Sequence, residues 1–421
     1  MIRIVTTGEI PVRPRKSVTE LEDVVRRVLA DVKERGDVAL REYEERFDNV
    51  ALESFLVSPE EFDEAETLVS LQLKEAILQA HHNIEKFHSA QRFSGEKVNV
   101  SDGVQCWQRA VAIEKVGLYI PGGTAPLFST VLMLATPAKI AGCREIILCT
   151  PPQKDGKVNP AVLVAARVAG VGKVYKLGGV QAIAAMAYGT ETVPQVSKIF
   201  GPGNQFVMTA KMMVSMDGTA IDMPAGPSEV AVVADRTCHV DFVAADLLSQ
   251  AEHGTDSQSV LFTDSMEVAQ RVADEVERQL QFLPRKEIAS QALDNSAIIV
   301  VESIAEAMSL CNEYAPEHLI LAMDDAEQWA DCVVNAGSVF LGHWASESAG
   351  DYASGTNHTL PTSGYAKAYS GVNLDSYMRK ITFQKLSPEG VREIGAAVET
   401  MAAAEGLDAH RNAMTLRCRN L

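Results

Sequence analysis

In the stretch SQAEHG (residues 249–254), Gln250 and His253 stand three positions apart. On a helix that spacing makes them neighbours on one face, able to reach a single cation. A polar helix end is the plain alternative, because glutamine is a weak ligand. Farther along, SAGDYASGTNHTLPTSGY sets Asp351 and His358 on either side of a Gly- and Ser-rich turn. Such a turn exposes side chains at the end of an α/β sheet, where ligands usually bind. His410, in GLDAHRNAM, opens the last helical stretch. Gln250, His253, Asp351 and His410 together make a mixed N and O donor set suited to zinc.

YAPEHLIL places Glu317 beside His318 where Pro316 predicts an extended entry into an apolar strand. An imidazole titrating near neutrality accepts and returns a proton, and an adjacent carboxylate can orient a water. The pair is an acid/base couple if it faces a cleft, and a solvated strand start if it does not. No G-x-G-x-x-G follows a strand. IFGPGNQF instead runs through Gly201, Pro202 and Gly203 into a helix, whose free N–H groups can receive a pyrophosphate, or which is only a tight strand-to-helix turn. Of the other histidines, His81, His82 and His88 read as surface residues of a charged helix, His239 as a cap-region or surface residue, and His343 has no evident partner.

The elements that must position these groups follow from apolar periodicity. Residues 1–110 read as mainly helical: Ser17 and Glu20 have capping-box spacing, and Leu21, Val24, Val28 and Val32 recur at helical intervals up to Gly36. From Val111 onward, short apolar runs end in Gly or Pro and precede helical patterns: VGLYIPGG, EIILCTPP, VYKLGGVQ and KIFGPGN. A second set follows in VAVVAD, SVLFTD, AIIVVE, HLILAM and SVFLG. This punctuation predicts two α/β units with parallel sheets. After about residue 372 the chain reads as helical, with Ser387 as N-cap and Pro388 at the first helical position. That tail is too short for its own core, so it docks on the body or on a second subunit.

Composition narrows the function. The 421 residues are 47% hydrophobic and 22% charged, with a formal net charge of −18, ordinary globular material for two or more cores. The acidic balance argues against a nucleic-acid or anionic-membrane partner. No apolar run reaches the ~18 residues of a membrane span, and the start lacks a secretory pattern. Seven cysteines without a CxxC pair read as reduced and buried, hence a cytoplasmic protein.

VGLYIPGGTAPLFSTVLMLATPAKIAGC, KIFGPGNQFV, MPAGPSEV, LLSQAEHG, YAPEHL, GDYASGTNHTLPT and LDAHRNAMTLR resemble, in order and from about residue 15 onward, the histidinol dehydrogenase family. The resemblance implies a zinc-dependent, NAD-linked oxidation of L-histidinol through L-histidinal to L-histidine. It implies a homodimer of two incomplete Rossmann-like domains with helical N- and C-terminal extensions, the C-terminal one crossing to the partner. The implied division is 1–17 as N-terminal extension, 18–118 plus 230–371 as the first domain, 119–229 as the second and 372–421 as the crossing arm. Motif by motif, zinc falls on Gln250, His253 and Asp351 with His410 given by the other subunit, and Glu317 and His318 are the catalytic pair. Substrate falls on Ser228, His358 and Glu405 as well as His318 and the zinc ligands, and nucleotide on Tyr119, Gln181 and Asn204. A related zinc- and NAD-dependent alcohol dehydrogenase acting on another polar alcohol is the competing reading.

Overall fold

The structure, a computed structural model, describes residues 2–6, 9–14, 18–122 and 126–421, and the side chains of all of these except 18–20. Ser17 and the Glu20 side chain, the two halves of the expected capping box, lie outside the described residues. The chain opens with strand β1 (Arg3–Val5) and helices α1 (Val18–Arg35), α2 (Asp37–Tyr43), α3 (Pro59–Leu68) and α4 (Leu71–Ser89). Strands β2 (Lys97–Ser101) and β3 (Val104–Ala112) follow as an antiparallel pair.

The first α/β unit comprises β4 (Lys115–Tyr119), α5 (Phe128–Ala141), β5 (Glu145–Thr150), α6 (Pro160–Val168), β6 (Lys173–Lys176), α7 (Gly179–Tyr188), β7 (Lys198–Phe200), α8 (Gln205–Met216) and β8 (Ala220–Ile221). Its sheet is parallel in the order β6-β5-β4-β7-β8. The second unit comprises β9 (Glu229–Ala234), α9 (Val240–Ala251), β10 (Gln258–Thr263), α10 (Met266–Leu280), α11 (Lys286–Asp294), β11 (Ala297–Val300), α12 (Ile304–Tyr314), β12 (His318–Ala322), α13 (Ala326–Trp329), β13 (Ser338–Leu341) and α14 (Glu347–Tyr352). Its sheet runs β1-β11-β10-β9-β12-β13, again parallel. Every residue of β9, β10 and β12 is buried, which is why these strands read as unbroken apolar runs rather than alternations. The chain closes with β14 (Met378–Leu386), α15 (Pro388–Ala404) and α16 (Asp408–Arg419).

Three expectations change. The N-terminal helices pack on the five-stranded unit, not on the 230–371 unit: Val25, Val28 and Val32 of α1 join Ala182–Ala187 of α7, and Ile77 and Ile84 of α4 join Val131–Ala135 of α5. The physical reason is that α5 is buried continuously from Ser129 to Ala138, and a helix apolar all round needs a second layer over it. The extensions are not purely helical either. β1 is an edge strand paired with β11, and β14 pairs with β3 over nine residues from Met378↔Ala112 to Leu386↔Val104. The third concerns His88, expected at the surface: it is fully buried on the apolar face of α4, its Nδ1 2.8 Å from the Ile84 carbonyl.

Ser387 caps α15 with Pro388 in its first turn, as expected. The cysteines are all free, and three are buried, but Cys332 is exposed. Among the described residues no helix is long and apolar enough to cross a membrane.

The GPG turn after β7 is fixed by a buried ion pair. Lys211 Nζ lies 2.5 Å from Asp222 Oδ1 and donates to the Gly201 carbonyl at 2.7 Å, while Gly201 N–H donates to Asp222 Oδ2 at 2.8 Å. Gly201 has φ 131°, and a Cβ there would stand 2.1 Å from the Tyr119 carbonyl oxygen, so only glycine fits. Replacing Lys211 with Met leaves Asp222 buried without its cation and should cost about 3–5 kcal/mol in urea unfolding. A loss under about 1 kcal/mol, the size of a surface pair, would show that the pair does not hold the turn.

Candidate active site

The residues singled out by type converge at the amino edge of the six-stranded sheet, where β9 and β12 lie side by side. His318 pairs in register with Val230, which sets Glu317 beside Ser228 and Glu229. The Glu229 N–H donates to Glu317 Oε2 at 2.9 Å. The chain enters β12 through Ala315 at φ 52°, ψ 69°, a left-handed residue rather than the extended one expected before Pro316. Ala315 caps α12 at that turn, and its N–H closes on the Cys311 carbonyl; a non-glycine residue held there is locally strained.

Gln250 and His253, at the end of α9, face each other as the i, i+3 spacing required, with Gln250 Nε2 3.1 Å from His253 Nδ1. Asp351 reaches them from α14, and its Oδ1 is 3.3 Å from His318 Nε2. His358 lies in the following loop. Its Nδ1–H donates to the Asp351 carbonyl at 2.9 Å, which leaves Nε2 as the lone-pair nitrogen accepting from Thr130 Oγ1 at 3.0 Å. Thr130 belongs to α5 of the other unit. The neighbouring Asn357 donates to the Met133 carbonyl at 2.6 Å and lies 3.5 Å from His88 Nε2. The loop therefore joins the amino edge of one sheet to the helix that follows the carboxyl end of β4 in the other.

Glu347 was not singled out by sequence. It is fully buried on α14, one helical turn before Asp351, and its Oε1 is 3.7 Å from His318 Nδ1. Ligand atoms of His253, Glu347 and Asp351 all lie within 4.8 Å of one another. The i, i+4 pair of Glu347 and Asp351 in ESAGD was the available signal.

Burial disfavours a charged His318, but the carboxylates of Glu347, Glu317 and Asp351 outweigh it and push the imidazole up to about 10. Burial likewise pushes Glu317 up to about 8 and Glu347 well above the carboxylate range. For His253 and His358 burial wins, and both are held below the usual imidazole value. Gln250 Oε1 and Glu347 Oε2 are buried and have no hydrogen-bond partner. Orphaned oxygens in a pocket where carboxylates outnumber cationic groups fit a divalent cation, whose charge would relieve the crowding. Gln250, His253, Asp351 and Glu347 offer the N and O donors that zinc takes.

Glu405 and His410 stand apart. Both are exposed on the C-terminal arm, where α16 packs on α15, and among the described residues neither bonds to the cluster. Tyr119 and Gln181 are buried at the carboxyl edge of the five-stranded sheet, and Asn204 caps α8 through Oδ1.

A family profile described as histidinol dehydrogenase matches residues 12–418. The chain belongs to the histidinol dehydrogenase family. It is 61% identical over 414 residues to histidinol dehydrogenase of Bacteroides thetaiotaomicron, covering 98% of this chain and 97% of that one. It is 52% identical over 412 residues to the Escherichia coli K12 protein of that name, covering 97% and 94%. The crystal structure of histidinol dehydrogenase from Elizabethkingia anophelis superposes with a TM-score of 0.96 at 51% identity, covering 100% of this chain and 99% of that one.

For this member of the histidinol dehydrogenase family, the geometry makes Glu347 a test of the cation site. Replacing Glu347 with Gln should weaken zinc affinity, titrated against a competing chelator, by about 10–100-fold, the range for a carboxylate supporting a metal centre. Affinity within twofold of the parent would remove Glu347 from the site.

Proposed function

We propose that this chain is a zinc-dependent, NAD-linked enzyme that oxidises L-histidinol through L-histidinal to L-histidine, the last two steps of histidine biosynthesis, as a cytoplasmic homodimer. The observation that carries the reading is the convergence of Gln250, His253 and Asp351 on the buried Glu317–His318 pair, in a chain aligned with the family along almost its whole length. Zinc, when bound, would grip the polar groups of the substrate and fix its position, and two NAD molecules in turn would each take up one hydride.

The protein's own residues handle the protons. His318 Nε2 faces Asp351, and thus the substrate side, while Nδ1 is flanked by Glu347 at 3.7 Å and Glu317 at 3.8 Å. Carboxylates on Nδ1 keep the ring oriented and its proton affinity high; in the fraction of molecules whose Nε2 is free of a proton, a fraction that grows as pH rises, Nε2 takes the hydroxyl proton at the first oxidation and again at the second. Glu317 has Oε2 tied to the Glu229 N–H, which leaves Oε1 to orient the water that adds to the aldehyde. Two oxidations at one site keep the reactive aldehyde from escaping. Ser228, His358 and Glu405 read the remaining polar groups of the substrate, and Tyr119, Gln181 and Asn204 belong to the nucleotide side.

The arm explains the missing ligand. α16 has no buried side chain, and the arm exposes Ile381, Met401, Leu407 and Leu416. A helix this uncovered is stabilised by a partner, and a second copy would bring its own His410 and Glu405 to this site.

NADH formed per histidinol should equal two, fall to nothing with a chelator and return with zinc. A yield of one, or turnover without nucleotide reduction, would overturn the reaction. For the shared site, mixed dimers in which one subunit carries His410→Asn and the other His318→Asn should retain one working site. If each subunit uses its own His410, no working site remains and the crossing arm is wrong.

A further inference from the structure

A cavity of about 430 Å³ opens at the carboxyl edge of the five-stranded sheet, beside Asp48, Pro121, Gly122, Thr150 and Pro151. At its back, β6 passes through Gly178 and Gly179 into α7. The first N–H groups of that helix are already engaged: Gly178 N–H donates to Glu44 Oε1 at 3.2 Å and Gly179 N–H to Tyr119 Oη at 3.1 Å. Gln181 Nε2 also donates to Glu44 Oε1, at 2.9 Å. Those two N–H groups are therefore not free for a pyrophosphate, and Asp48 is the carboxylate that faces the cavity.

Glu44 and Asp48 are the first and last residues of a single π-helical turn, a rare geometry that concentrates at functional positions. The turn brings the two carboxyl groups into hydrogen-bonding contact. Glu44 is fully buried, and burial pushes it up to about 8, so it is protonated at neutral pH. Its Oε1 is spent as an acceptor, and Oε2 has no donor to receive from. A proton on Oε2 directed at Asp48 would satisfy that oxygen. Burial raises Asp48 as well, and the bond from Glu44 opposes that rise; Asp48 is the half-buried member of the pair and the one that lines the cavity. Asp48 Oδ2 would be 3.3 Å from a Cβ at Gly178, which places it against the strand-to-helix turn.

A carboxylate on the wall of a nucleotide cavity matches a ribose diol, whose two hydroxyls donate to its two oxygens, and repels a phosphate in the same position. We propose that Asp48 is a specificity-determining residue of the nucleotide site, accepting the ribose hydroxyls of the dinucleotide and excluding a ribose phosphate, while Glu44 holds it in place. The proposal rests on the NAD reading above. Lys154, on the same cavity wall, offers the positive charge that the pyrophosphate needs.

The test compares the dissociation constants of NAD and NADP, by equilibrium titration of the protein without histidinol, and kcat/KM for each at saturating histidinol, in the parent protein, Asp48→Ser and Asp48→Asn. The parent should prefer NAD by about 100-fold or more, and each variant should cut that ratio by about 10-fold or more, the loss expected of a charged hydrogen-bond acceptor, with the change entering through KM. The asparagine variant keeps the side-chain shape and its contact with Glu44, so a folding defect confined to the serine variant leaves the answer intact. A parent that uses NAD and NADP equally, or variants that keep the parent's ratio, would overturn the role of Asp48 while leaving the dehydrogenase reading in place. Reduction of neither nucleotide by the parent would overturn both.

Discussion

A fully buried imidazole with three carboxyl groups within 4 Å is the constraint around which the rest of this protein is arranged. Taking several ionisable groups out of water is costly unless each is held in a geometry that lets the others compensate. Here the holding begins with the backbone: Glu229 N–H fixes Glu317. Glu229 is fixed in turn by Arg13, which binds both of its oxygens at 2.6 and 3.0 Å while lying 4.0 Å above the Tyr314 ring, and by the Ser363 N–H at 2.9 Å. A short N-terminal segment thus stabilises the carboxylate of a residue whose amide orients the acid next to His318.

That arrangement explains the layout of the two sheets. In most open parallel sheets a ligand meets the carboxyl ends of the strands. The histidine–carboxylate cluster instead sits at the amino ends of β9 and β12, and the other unit turns the carboxyl end of its own sheet toward it, with His358 and Asn357 bonded to α5. The unit carrying Tyr119, Gln181 and Asn204 and the unit carrying Glu317 and His318 are therefore tied through the loop that follows Asp351. Backbone and histidine contacts along that loop keep the two halves in register, as the proposed reaction, with a hydride acceptor on one side and a proton acceptor on the other, would require.

The central strands of both parallel sheets were legible because they are buried on two faces, and an apolar run bounded by Gly and Pro is a local signal. Gln250 and His253 were legible for the same kind of reason: helical spacing is fixed over three residues. The antiparallel sheet was not. β2 and β14 are largely exposed; β14 carries neither an apolar run nor an alternation, the alternation of β2 in KVNVS spans only five residues, and their pairing partner β3 lies far from β14 in the chain. His88 was misjudged because its helix is charged on the outside; only the packing of α4 on α5 shows that the apolar face includes it.

By itself, then, the sequence determined which residue types were available for chemistry, the local elements that carry them and the family to which they belong, since each of those depends on neighbours within a few positions or on motifs read in order. Tertiary structure decided which sheet edge the site occupies, that Glu347 joins it and that Glu405 and His410 do not join it within one chain. It also decided that Asp48 faces a cavity with a buried Glu44 behind it. Those outcomes rest on contacts between residues far apart in the chain, such as Arg13 with Glu229 across 216 positions or Gln181 with Glu44 across 137. Such contacts are set by how whole layers bury their apolar faces, and no short window of residues encodes that.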